Sequence, residues 1–288
     1  MTATTFSSLE LDESLLTALE EKGYQRPTAI QAEAIPAAME GRDILGSAPT
    51  GTGKTAAFLL PAIQHLLDYP RKKSGPPRVL ILTPTRELAM QVADQAKELC
   101  AHTHLDIATI TGGVAYMNHA EVFSENQDIV VATTGRLLQY IKEENFDCRA
   151  VEMLILDEAD RMLDMGFIHD IRRVINKLPK KRQNLLFSAT FSKEITGLAN
   201  SLLNNPISIA VAPKNSAAES VDQYVHLVDK KRKTELLSHL IGLENWPQVL
   251  IFTRTKHGAN KLAEHLNLDG IKSAAIHGNK SQGARTRA

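Results

Sequence analysis

The feature that most constrains this chain is a rhythm: short apolar runs alternate with stretches whose apolar residues recur at helical spacing. Val79–Thr83 (VLILT), Ile107–Ile110, Ile129–Ala132, Met153–Leu156 and Leu185–Phe187 are largely apolar without alternation, and read as strands buried on both faces. Between them, Arg86–Cys100 and Gly166–Leu178 carry a helical period. Strands alternating with helices form βαβ units, so the expected fold is α/β, a mostly parallel sheet with helices on both faces. Leu203–Ser220 then turns small and polar around Pro206, Pro213, Lys214 and Asn215, and residues 207–219 read as a linker. After it the rhythm restarts, with strands expected at Tyr224–Val228, Val249–Phe252 and Ile271–Ile276 and helices at Lys233–Ile241 and Gly258–Leu268. The expected division is a first domain over 1–206 and a partial second over 220–288, short for a doubly wound domain.

Composition narrows function less. The 33 basic and 33 acidic residues cancel, so a nucleic-acid role has to be argued from motifs rather than net charge. Cys100 and Cys148 stand far apart without a CxxC pattern, which speaks against a metal site and for a reducing compartment. The N-terminus lacks the basic start and apolar run of a signal peptide, and no stretch reaches the roughly 18 apolar residues of a membrane span. The expectation is a cytoplasmic protein without membrane partners.

Chemistry is concentrated at two places. Ala48-Pro49-Thr50-Gly51-Thr52-Gly53-Lys54-Thr55 lies between the apolar Asp43–Ser47 segment and the helical Ala56–Leu67. Glycines let such a loop wrap closely, so its backbone N–H groups can meet phosphate oxygens at a helix N-terminus. Lys54 would reach the outer phosphates and the Thr55 hydroxyl would hold Mg²⁺. The strict pattern has glycine where Ala48 stands, and the plainer reading is a glycine-rich turn with an exposed lysine. The second place is Leu154-Ile155-Leu156-Asp157-Glu158-Ala159-Asp160, which sets acids just past the end of a buried strand, the edge where α/β sheets bind ligands. There Asp157 can hold Mg²⁺ through water and Glu158 can polarise an attacking water. Alone, such acids would be the charged first turn of a helix.

Asp157-Glu158-Ala159-Asp160 spells the signature of the DEAD-box RNA helicases, and the chain resembles that family over essentially its whole length. Gly23–Gln31 (GYQRPTAIQ) resembles the adenine-reading Q motif, with Phe6 standing 17 residues before Gly23 where the family carries an isolated aromatic. Pro84–Ala89 (PTRELA) is similar to motif Ia, Gly112-Gly113 to the double-glycine element, and Thr133–Arg136 (TTGR) to motif Ib, with threonine at 134 where the family usually has proline. Ser188-Ala189-Thr190 matches motif III and Val249–Arg254 (VLIFTR) resembles motif IV, while Ile276–Gly278 and Gln282–Arg285 resemble the elements that follow it. Up to about residue 165 the wording is similar to the bacterial SrmB group of ribosome-assembly helicases, and beyond it to the RhlE group.

The resemblance implies a RecA-like P-loop domain and a partial second RecA-like domain. ATP and single-stranded RNA would bind across a cleft whose closure bends one RNA strand out of a duplex. By this likeness Phe6, Tyr24, Arg26 and Gln31 face adenine, Ala48 through Thr55 hold the phosphates, and Thr55 and Asp157 hold Mg²⁺, partly through water. Lys54, Asp157 and Glu158 are the catalytic group, and Asp160, Ser188 and Thr190 couple the nucleotide to RNA. RNA sugar and phosphate would be gripped, without sequence reading, by Pro84, Thr85, Arg86, Gly112, Gly113, Thr133, Gly135 and Arg136. In the second part Thr253, Arg254, Gly278, Gln282 and Arg285 would join them. Ribosomal precursor particles or RNA-decay proteins are the implied partners. The family's DxAxRGxD and HRxGRxxR elements do not occur within residues 1–288. Arginine fingers of that kind are worth ~10³–10⁵ in rate, so the expectation is nucleotide binding with little turnover. The alternative is a non-catalytic module that holds ATP and RNA.

Overall fold

A computed structural model describes residues 5–49, 51–114, 119, 127–211 and 222–288, with Gln282 described by its backbone alone. The chain divides into two compact units, Met1–Ser216 and Ala217–Ala288.

In the first unit seven strands form one parallel sheet: β1 (Ile44–Ser47), β2 (Val79–Thr83), β3 (Ile107–Ile110), β4 (Ile129–Thr133), β5 (Met153–Leu156), β6 (Gln183–Ser188) and β7 (Ile207–Ala210). Their order is β3-β4-β2-β5-β6-β1-β7, every pairing parallel. The helices of this unit are α1 (Glu13–Glu21), α2 (Ala29–Met39), α3 (Lys54–Asp68), α4 (Arg86–Leu99), α5 (Thr134–Lys142), α6 (Ala159–Asp164), α7 (Ile168–Ile175) and α8 (Lys193–Leu202). Side chains alternate across a strand, so each strand feeds two cores. Val79, Ile81, Ile129, Val131, Ile155 and Phe187 pack with α1 to α4, whereas Leu80, Leu82, Val130, Ala132, Leu154 and Leu186 pack with α5 to α8. This explains why the strands read as continuous apolar runs: both faces are covered.

Two expectations are corrected. Ile207–Ala210 is no linker; it pairs with β1 as an edge strand and sends Ile209 into the core. Its flanking Pro206 and Asn205 mark a turn into the strand, and its alternating burial is that of an edge, which is why it looked polar. In the second unit, helices form at α9 (Lys233–Leu243), α10 (Lys256–Leu268) and α11 (Gln282–Arg287). Tyr224–Val228, Val249–Phe252 and Ile271–Ile276 are not strands. An extended segment becomes a strand only when a neighbour accepts and donates its backbone hydrogen bonds, and among the described residues these segments have no such neighbour. No helix among the described residues is long and apolar enough to cross a membrane.

Candidate nucleotide and nucleic-acid site

Because every strand is parallel, all the strand-end loops expected to carry function emerge at one edge of the sheet. The order then sorts them. Adjacent strands β5, β6 and β1 end at Asp157-Glu158, Ser188 and the Ala48–Gly53 loop before Lys54, while adjacent β3, β4 and β2 end at Gly112-Gly113, at Thr133 with the first turn of α5, and at Pro84-Thr85 with Arg86 opening α4.

The phosphate loop is shaped by its glycines. Gly53, the residue before α3, sits at φ 90°, and a Cβ there would lie 2.4 Å from Gln31 Nε2. Gly51 is also left-handed at φ 82°, and Thr52 Oγ1 donates to the Pro49 carbonyl at 2.7 Å. Ala48 is buried, Thr55 half-buried, and Thr50 lies outside the described residues. Lys54, expected as an exposed lysine on the plainer reading, is 6% exposed, and its Nζ has no hydrogen-bond partner. A buried ammonium without an acceptor is costly, and an incoming phosphate would supply one.

The acids face this lysine electrostatically. Burial pushes the Asp157 carboxyl up to about 6, against the pull of Lys54 and of the Glu158 N–H; Glu158 and Asp160 push the same way as burial. Glu158 N donates to Asp157 Oδ1 at 2.9 Å. Glu158 itself adopts φ 50°, an uncommon left-handed conformation for a residue with a side chain, and its carboxylate accepts from Arg161 Nη1 at 3.0 Å. Strain of this kind, at the turn from β5 into α6, costs of order 1–3 kcal/mol and collects at functional sites. Asp160 Oδ2 accepts from both the backbone N (3.0 Å) and Oγ1 (2.9 Å) of Thr190, and Ser188 Oγ donates to the Thr190 carbonyl at 2.7 Å. The three residues expected to couple the sites therefore form one hydrogen-bonded chain between α6 and the end of β6.

Gln31, expected to face a purine, is held by two hydrogen bonds within the protein. Its Nε2 donates to the Gly53 carbonyl at 3.0 Å and its Oε1 accepts from Thr28 N at 2.9 Å, closing a capping box on α2. One N–H and one lone pair stay free of these bonds for a ligand. The Thr28-x-x-Gln31 spacing, the sequence signature of such a cap, was the signal for this second role. Phe6 is buried and stacks on the half-exposed Tyr24, ring centroids 6.5 Å apart at 23°. Arg26 is exposed.

On the other side of the edge, Thr85 Oγ1 caps α4 by accepting from Leu88 N, and Pro84 is buried. Arg86 is half-buried with its Nε unpartnered. Gly112 N donates to Thr133 Oγ1 at 3.1 Å, joining two of the loops; Gly113 lies at φ 74° and Gly135 is exposed. Arg136 donates to the Val114 carbonyl at 3.2 Å and lies over the Tyr140 ring. In the second unit Thr253 Oγ1 donates to the Thr255 carbonyl, and Lys256 Nζ reaches Asn279 Oδ1 at 2.9 Å, bringing the Thr253-Arg254 and Gly278 turns together. Arg285 lies in α11 beside Gln282, whose side chain is outside the described residues. From residue order alone Arg161 is an ordinary helix-face charge; the left-handed turn at Glu158 is what makes it that acid's partner. Among the described residues no cluster of three or more His, Cys, Asp or Glu side chains could hold a metal alone. Magnesium needs none, since it keeps several waters and binds through one or two protein groups plus phosphate.

Residues 28–198 match the DEAD/DEAH box helicase family. The chain is 62% identical, over its whole length, to the ATP-dependent RNA helicase SrmB of Escherichia coli, and 57% identical to SrmB of Haemophilus influenzae. It spans 65% and 66% of those two proteins, just under two thirds. It is 40% identical to the ATP-dependent RNA helicase RhlB of Pseudomonas aeruginosa, covering 99% of this chain and 73% of that protein. The alignment with SrmB extends past residue 165 to the whole chain. The crystal structure of a DEAD box protein from the hyperthermophile Methanococcus jannaschii superposes with a TM-score of 0.68 at 36% identity, covering 98% of this chain and 75% of that one. The parallel sheet with its phosphate loop is accordingly a RecA-like fold, and the chain belongs to the DEAD/DEAH box helicase family.

Proposed function

We propose that this chain supplies the ATP-binding and part of the RNA-gripping machinery of an ATP-dependent RNA helicase that separates short duplexes or remodels ribonucleoprotein. The observation that carries the reading is the buried, unpartnered Lys54 ammonium at the phosphate loop, electrostatically coupled to Asp157. Its relatives' names support the same reading. Lys54 and the loop N–H groups would hold the outer phosphates, and the Thr55 hydroxyl with Asp157 would hold Mg²⁺, partly through water. When bound, that ion neutralises charge on the phosphates. Glu158 would orient the attacking water, held in place by Arg161. Phe6, Tyr24, Arg26 and the free side of Gln31 would read adenine. The Asp160–Thr190–Ser188 chain would pass the state of the phosphates across the sheet edge toward Arg86, Gly112, Gly113, Thr133, Gly135 and Arg136, which grip RNA backbone. Thr253, Arg254, Gly278, Gln282 and Arg285 would add contacts from the second unit. Ribosomal precursor particles or RNA-decay assemblies, in the cytoplasm, are the proposed setting.

A purely binding role, holding ATP and RNA without turnover, is the second reading. ATP hydrolysis with and without single-stranded RNA tests both. Stimulation by RNA supports the enzyme; ATP and RNA binding with no turnover supports the binding module. Failure to bind ATP would remove both.

A further inference from the structure

His119 lies outside every motif considered above, yet it is only 3% exposed and sits beside the residues expected to grip RNA. The Thr111 N–H donates to its Nε2 at 3.3 Å, and its Nδ1 lies 2.8 Å from the Tyr140 hydroxyl. A nitrogen that accepts from an amide carries no proton, so Nε2 is bare and Nδ1–H donates to Tyr140. Burial holds this imidazole below its usual range, and the charges of Arg136 and Arg86 push the same way, so the ring is neutral. Tyr140 is fully buried in α5, its ring meeting His119 edge-on at 5.6 Å, and Arg136 lies over the same ring with its Cζ 5.6 Å from the centroid. Arg136 also donates to the Val114 carbonyl. One imidazole therefore ties the backbone just before Gly112-Gly113 to the helix that carries Arg136.

We infer that His119 is a positioning residue: by bridging Thr111 and Tyr140 it fixes the Gly112-Gly113 loop and Arg136 in the relative geometry that grips an RNA backbone. The inference rests on the RNA-binding reading above. Two loops that contact successive phosphates must hold their spacing, and a buried, fully bonded strut does so without touching the ligand. A lysine or an apolar residue at 119 could not both accept from Thr111 and donate to Tyr140.

The test uses the 288-residue chain with a fluorescein-labelled oligouridine for RNA and a fluorescent ATP analogue for nucleotide. H119A and Y140F should each weaken RNA binding roughly tenfold, the loss of one or two hydrogen bonds, with nucleotide affinity unchanged within about twofold. Combined, they should cost little more than either alone, because both cut the same strut. H119Q, whose amide oxygen can still accept from Thr111, should recover part of the loss. Amide exchange at Thr111 should quicken in H119A, and the ring ¹⁵N shifts of the unmutated chain should report an Nδ1–H tautomer. Should H119A fail to fold, Y140F, which keeps the ring, carries the test. RNA affinity lost in R136A but intact in Y140F and H119A would overturn the inference and leave the RNA reading standing. Equal loss of RNA and nucleotide affinity would overturn it in favour of a general structural role. No RNA binding by the unmutated chain would overturn both.

Discussion

Val79–Leu82 and Val249–Phe252 are nearly the same peptide, VLIL and VLIF, and they meet opposite fates. The four residues in the first unit are 0% exposed, at the centre of a parallel sheet, whereas Val249, Leu250 and Phe252 are 36%, 76% and 88% exposed and belong to no ladder. The difference teaches that a strand is a property of a segment and its neighbours together. β2 has β4 on one side, β5 on the other and helices on both faces. In the second unit only Ile241 and Leu266, both on helices, are buried among the apolar residues described. Local propensity forms α9 and α10, with Thr255 capping the latter, but it cannot close a sheet.

The comparison breaks most decisively under hydrogen exchange. Amides of β2 should exchange only through near-global unfolding, and those of 249–252 almost freely, a gap of ~10³-fold or more in protection. Comparable protection in the two segments of a demonstrated monomer would end the contrast. Within the first unit a second division, one of roles, can be tested. Lys54→Ala should lower ATP-analogue affinity roughly 100-fold, because a buried charged hydrogen-bond donor is lost, while Glu158→Gln, assigned to the water, should leave it within about twofold. Equal losses in isothermal titration would refute the division of roles.

Packing separates the units a second time. A Cβ on Gly46 of β1 would sit 2.5 Å from the Phe187 ring, so Gly46→Ala should cost about 1–3 kcal/mol of stability. Gly242, near the end of α9, has open space around it, and Gly242→Ala should be neutral or stabilise by up to about 1 kcal/mol. Thermal melts of the two variants read this directly. A further stability effect is tied to pH. The Asp157 carboxyl is held up near 6 from an ordinary 3.8, so in the absence of ligand its ionisation disfavours the fold above pH 6, and that cost fades as pH falls toward 4. Asp157→Asn should therefore raise the melting temperature at pH 8, with the gain shrinking through pH 6. A gain independent of pH would point to packing instead.

How much of this was legible in the sequence differs by level. Five strands, β2 to β6, announced themselves because parallel strands covered by helices on both faces must be largely apolar throughout. β7 did not, since an edge strand with alternating exposure resembles a loop, and its flanking Pro206 and Asn205 deepened the likeness. The phosphate loop and the acids were legible from residue order, because glycine at φ 90° and acids after a buried strand are backbone requirements. What stayed hidden depends on contacts far apart in sequence, as in the His119–Tyr140 bond across 21 residues; Asp160 and Thr190, 30 apart, were brought together only by the family resemblance. No periodicity reports such pairs.

Gln31 offers the smallest and most discriminating test, because it belongs to both levels at once. Its Oε1 serves the local helix cap, which pattern could reveal, and its Nε2 serves the long-range tie to the Gly53 carbonyl, which pattern could not. Gln31→Glu separates them. A carboxylate still accepts from Thr28 N but cannot donate to a carbonyl, and it repels that oxygen instead. The cap should survive, so the melting temperature should move little, while the phosphate loop loses its tether and the side chain its N–H proposed to read adenine. ATP-analogue affinity should fall severalfold, about 1 kcal/mol for one hydrogen bond, and preference for ATP over GTP should weaken with it. Gln31→Ala removes both roles and should add a cap penalty of about 1 kcal/mol in stability. If the two variants melt alike, the cap contributes nothing and the tether carries the residue. If Gln31→Glu binds the ATP analogue as well as the unmutated chain does, the tie to Gly53 has no part in holding the loop, and the order of the first unit's edge must come from its sheet alone.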